Sequence, residues 1–72
     1  MDTKTIMGER IHILRRRRKI TQKELGEVIG VTAKSISTIE SGLKSTTIEN
    51  LVLLATFFNV STDYLVGLKD EP

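Results

Sequence analysis

The chain has 72 residues, no cysteine, and 11 Lys/Arg against 9 Asp/Glu, for a formal net charge of +2. That length supports one small domain, and the lack of cysteine excludes disulfides and thiolate metal sites and fits a reducing compartment such as the cytoplasm. No apolar run approaches the roughly 18 residues of a membrane helix, and the N-terminus carries no signal-peptide pattern.

The charge is unevenly placed. Residues 1–23 hold eight basic side chains against Asp2 and Glu9, a balance of +6, and residues 24–72 balance to −4. A basic N-terminal third suits an anionic partner such as nucleic acid or a lipid surface, and equally a solvated helix face.

In chain order, residues 1–5 are expected to be a flexible N-terminus. Met7, Ile11 and Leu14 then stand at i, i+4 and i+7, one face of a first helix. It closes on Arg15-Arg16-Arg17-Arg18-Lys19, where cations complement the helix dipole. Thr21 with Glu24 forms a capping box, with Ile20 and Leu25 as its hydrophobic staple. The spacing predicts a second helix over about 22–29, Leu25 and Ile29 inward, stopped by Gly30 in a left-handed conformation. Thr32 caps a third helix over about 33–41, with Ile36 and Ile39 inward and Gly42 as its stop. After a polar loop, Thr47 caps a fourth helix over about 48–58, with Leu51, Leu54, Ala55 and Phe58 on one side. Asn59 ends it. Ser61 caps a fifth helix over 62–66, closed by Gly67. No β-like alternation persists, so the fold class is all-α: a compact five-helix bundle.

The short break at Gly30–Val31 between helices two and three is a helix-turn-helix pattern. It lets helix three offer Ala33, Lys34, Ser37, Thr38 and Ser41 to solvent. These side chains are small or flexible, and only one is charged. Such a face suits a DNA major groove about 12 Å wide; the plainer reading is an exposed helix filled with Ser and Thr.

The pieces MGERIHILR, ITQKELGEVIGVT, ISTIESG, TIENLVLLATFFNV and STDYLVG, in this order and spacing, resemble the lambdoid phage repressor and Cro family. It is also called the xenobiotic-response-element family of bacterial regulators. The likeness covers about residues 7–67, with a domain placed at 6–67 and residues 68–72 as a tail or the start of a linker. It implies a lambda repressor-like fold and sequence-specific binding to double-stranded DNA by a bacterial or phage-encoded, cytoplasmic, nucleoid-associated regulator. That regulator would be a repressor, working as a two-fold homodimer on a near-palindromic operator.

Carried over residue by residue, the resemblance assigns base reading to Ala33, Lys34, Ser37 and Thr38. It assigns phosphate contacts to Gln22, Lys23, Thr32, Ser41, Lys44 and Ser45. Arg15 and Glu40 match a partly buried structural ion pair between helices one and three, which leaves Arg16, Arg17, Arg18 and Lys19 as a solvated or weakly DNA-facing patch. Tyr64, Leu65 and Val66 are the dimer-interface candidates.

Three positions depart from the family pattern. Lys19 stands where glycine or asparagine is common, Gly26 where alanine is, and Thr46 where proline is. His12 is expected on the outer face of helix one, without a companion ligand. No cofactor, metal or small-molecule substrate is expected. An enzyme is disfavoured, because no nucleophile–base pairing is visible and the chain looks too small for a pocket of ~300 Å³. The alternative function is a protein-interaction module, such as an antitoxin or assembly factor. Nothing in the sequence specifies the operator or the genes it controls.

Overall fold

The structure is a computed structural model that describes residues 2–72; Met1, part of the expected N-terminal segment, lies outside the described residues. Five helices follow in order: α1 (Thr3–Arg17), α2 (Gln22–Ile29), α3 (Ala33–Glu40), α4 (Ile48–Phe58) and α5 (Thr62–Val66). The described residues contain no strand. No helix among them is long and apolar enough to cross a membrane.

Caps written into the sequence set most of these boundaries. Thr21 Oγ1 accepts from the Glu24 amide at 3.0 Å while Glu24 Oε1 accepts from the Thr21 amide at 2.8 Å, the reciprocal pair of a capping box. Thr32, Thr47 and Ser61 each accept from the amide three residues on. Gly30, Asn59 and Gly67 end α2, α4 and α5 with φ of 77°, 55° and 90°. The Val31 amide reaches back to the Gly26 carbonyl at 2.8 Å, the long bond of a Schellman closure.

Two boundaries differ from expectation. α1 begins at Thr3, inside the stretch expected to be flexible, because Asp2 accepts from the Thr5 amide at 2.8 Å and caps it. α3 ends at Glu40 rather than Ser41, which is its C-cap.

The core is Met7, Ile11, Leu14, Leu25, Ile29, Ile36, Ile39, Leu54, Ala55, Phe58 and Leu65. Every residue expected inward is in it except Leu51, which is half-buried and packs on its edge. Leu65 is a correction. Expected at a dimer interface, it is 0% exposed within the monomer, because α5 turns its one strong apolar side onto α1 and α4. Removing it would cost core packing, not association.

Gly8 has a role that the sequence reading missed. A Cβ there would strike the Ile39 carbonyl oxygen and come within 2.8 Å of the Glu40 carbonyl oxygen. α1 therefore crosses the end of α3 backbone to backbone. The available signal was a glycine inside a helical pattern, where it costs about 1 kcal/mol relative to alanine and so points to close packing.

Lys19 has φ 57°, a left-handed conformation that costs a side-chain-bearing residue roughly 1–2 kcal/mol. Lys19→Gly relieves this, less the added freedom of glycine in the unfolded chain. A net gain of ~0.5 kcal/mol is expected, read as a melting temperature raised by a few degrees. An unchanged or lower melting temperature would show that the strain is no larger than the entropy glycine adds to the unfolded chain.

The C-terminal residues fold back onto α1. Arg10 donates from Nη1 to the carbonyls of Tyr64 and Lys69, and its guanidinium carbon lies 4.3 Å from the centre of the Tyr64 ring. Its Nη2 lies 3.4 Å from Asp70 Oδ1.

Candidate nucleic-acid interface

α3 is held by one side only. Ile36 and Ile39 are buried, while Lys34, Ser37 and Ser41 are exposed and Ala33 and Thr38 are half-buried. All five expected surface residues share this outer side, and the 3.6-residue period explains why. Ala33, Ser37 and Ser41 form one row at i, i+4, i+8, and Lys34 and Thr38 form the next. The Thr38 hydroxyl donates to the Lys34 carbonyl at 2.9 Å and the Ser41 hydroxyl to the Thr38 carbonyl at 2.8 Å. Both protons are turned into the helix, so the oxygens face outward as acceptors. A phosphate partner for Ser41 therefore requires its hydroxyl to rotate.

Thr32 caps α3 through the Ser35 amide at 3.1 Å and is itself exposed. Lys44 and Ser45 follow α3 in an exposed loop, with Lys44 Nζ 3.4 Å from Ser35 Oγ. Val31, Ser35, Ile39, Lys44, Ser45, Thr46, Thr47 and Asn50 line an open groove of about 300 Å³ beside that loop. This corrects the expectation that so small a chain has no such volume.

Behind α3 lies the ion pair. Arg15 is 8% exposed. It donates from Nε to Glu40 Oε2 at 2.6 Å and from Nη2 to Glu40 Oε1 at 3.0 Å, a bidentate grip. Its Nη1 donates to the Ile20 carbonyl at 2.9 Å. Glu40 Oε1 also accepts from Gln22 Nε2 at 3.3 Å and from His12 Nδ1 at 2.9 Å. The Arg15–Glu40 pair thus ties α1, the α1–α2 turn, the first residue of α2 and the last residue of α3. His12 is exposed as expected, and it also has a hydrogen-bond partner, 28 residues away, that no local pattern reveals. Gln22 keeps a second amide proton and its carbonyl oxygen for other contacts.

Burial alone would raise the Glu40 pKa, but hydrogen bonds from Arg15, His12 and Gln22 outweigh it and hold the carboxyl below its ordinary 4.5. The Glu40 hydrogen bond raises the Arg15 pKa above its ordinary value, against the opposing effect of burial. A carboxyl depressed in the folded state contributes stability that is complete above its unfolded pKa and lost as pH falls through the folded value. The urea midpoint should therefore fall below about pH 4.5, and Glu40→Gln should flatten that fall. A Glu40→Gln profile parallel to wild type would show that other carboxylates carry the acid sensitivity.

Tyr64 and Val66 are half-buried, so each keeps some surface for a partner. Larger apolar exposure lies on α4, where Ile48, Val52 and Leu53 are 76%, 50% and 46% exposed. The sequence reading passed over these residues, although α4 is apolar on nearly every side, itself a signal of further burial.

A family model described as helix-turn-helix matches residues 11–65. The uncharacterized regulator YobD of Bacillus subtilis is 38% identical over 64 residues, covering 89% of this chain and 57% of that protein. Control protein C.SmaI of Serratia marcescens is 31% identical over 74 residues, covering 99% of this chain and 88% of its own. Among solved structures, the P22 c2 repressor in complex with a synthetic operator superposes with a TM-score of 0.80 at 39% identity, covering 85% of this chain and 92% of the repressor chain. The chain spans about half the length of the two Bacillus regulators it matches, 57% and 50%.

Proposed function

The chain belongs to the helix-turn-helix family, and from that premise we propose that it is a sequence-specific DNA-binding regulator of transcription, acting as a repressor in the cytoplasm. The observation that carries this reading is the outer side of α3, polar, small-residued and open, on a helix whose other side is anchored in the core. The P22 c2 repressor, bound to its operator, has the same fold.

In this reading α3 enters the major groove. Lys34 donates to guanine O6 and N7, and Ala33 and Thr38 meet thymine methyl groups, with Ser37 beside them. Gln22, Lys23 and Thr32 take phosphates at the starts of α2 and α3, and Ser41, Lys44 and Ser45 take them after α3. A second copy completes a two-fold dimer, with half-sites about 34–36 Å apart. Tyr64 and Val66 remain candidates for its interface.

The test is selection of bound sequences from random DNA, followed by titration of the selected operator at two salt concentrations. With roughly 6–10 phosphate contacts, affinity should fall about 10³–10⁵-fold between 50 and 200 mM salt. Equal binding to every sequence would end the claim of specificity.

A further inference from the structure

The five consecutive basic residues at the end of α1 do not share one environment. Arg15 is buried against Glu40. The guanidinium of Arg18 lies over Phe57 and Phe58, 4.9 and 5.4 Å from their ring centres. Both belong to the fold. Arg16, Arg17 and Lys19 are exposed, and helical phase separates the first two.

Arg16 follows His12 by four residues, so it continues the strip of α1 that reaches Glu40 and Gln22. Arg17 follows Arg10 by seven, so it continues a different strip, the one that faces Tyr64 and the C-terminal residues. Lys19 forms the left-handed corner two residues before Thr21, the N-cap of α2. Arg15 and Gln22 donate to the same oxygen of Glu40, so the side of α1 that carries His12 and Arg16 is the side nearer the start of α2. Arg16 and Lys19 therefore stand on the side of the α1–α2 turn that leads to Gln22 and Lys23. Arg17 lies about 100° further round α1, turned toward the side that carries Arg10.

We infer that Arg16 and Lys19 extend the phosphate contacts of α2 along the DNA backbone, whereas Arg17 makes none. This rests on the DNA-binding reading above and adds two residues and an edge to the footprint. Cations at the end of α1 also favour its dipole, an effect that Arg16 and Arg17 share and that cannot tell them apart. Counterion release can: each lost phosphate contact lowers the slope of log K against log salt by about 0.9.

The experiment measures that slope on the selected operator for wild type, Arg16→Gln, Arg17→Gln and Lys19→Asn. Asparagine suits the left-handed corner while removing the charge. Thermal melts confirm that each variant is folded. In the two-fold dimer each substitution removes one contact per subunit, so Arg16→Gln and Lys19→Asn should each flatten the slope by about 1.8, with Arg17→Gln matching wild type. Equal slopes for Arg16→Gln and Arg17→Gln would overturn the inference, because the run would then act only as a diffuse charge. Failure of wild type to prefer any operator would instead overturn the reading beneath it.

Discussion

Glu40→Ala is expected to destabilise the domain by about 3–5 kcal/mol, because it leaves Arg15 buried without its partner. A chain of this size has roughly 4–11 kcal/mol of total stability, at ~0.05–0.15 kcal/mol per residue. The variant should therefore lose about a third or more of the domain's stability, read as a melting temperature lowered by well over ten degrees. Arg15→Met with Glu40→Leu removes both charges and fills the space with apolar atoms, and should recover most of the loss. The pair also fixes where α3 stands relative to α1 and Gln22. The stable double variant should accordingly bind the operator more weakly than wild type. Chemical denaturation and operator titration on wild type, Glu40→Ala and the double variant separate the two effects. Full operator affinity in the double variant would reduce the pair to a packing device, and a mild Glu40→Ala would remove even that.

Lys34→Ala and Thr38→Ala address the reading surface itself. Both residues lie on the outer side of α3 and neither supports the core. Each substitution should leave the melting temperature nearly unchanged. Each should cost about 1–3 kcal/mol of operator affinity, roughly 5- to 150-fold, and relax selectivity at the base it contacts. The pair together should bring operator binding close to the level of random DNA. Lys23→Ala, as a phosphate contact, should instead weaken all sequences alike and flatten the salt slope by about 1 per subunit, about 2 for the dimer. Undiminished operator preference in the Lys34→Ala, Thr38→Ala protein would remove α3 as the reader.

Thr21 and Glu24 show why so much of the fold is legible in one sequence. A capping box is complete within four residues, so it forms wherever those residues occur. The same holds for Gly30 and Asn59 as left-handed stops, and for the spacing of Ile36 and Ile39 that turns the rest of α3 outward. Helix order, the turn between α2 and α3, and the identity of the open face follow from these short-range signals. The boundary at Thr3 was missed because Asp2 was not read as a cap.

Leu65 and His12 show the limit. Both lie on short-range patterns that allow either exposure or contact. Leu65 is buried because α5 docks on α1 and α4, and His12 has a partner because α1 crosses the end of α3. That crossing depends in turn on Gly8, which lets the two backbones meet. The sequence by itself determined the five helices, the N-caps of α2 to α5, the core-facing residues of α1 to α4 except Leu51, and the outward face of α3. Tertiary structure alone decided which side of α1 meets α3, that Glu40 gathers His12, Arg15 and Gln22, and that Arg10 holds residues more than fifty positions away. The physical reason is range. Caps and periodicity act within a few residues of chain, whereas the phase and closeness of two packed helices are set jointly by side chains far apart in sequence.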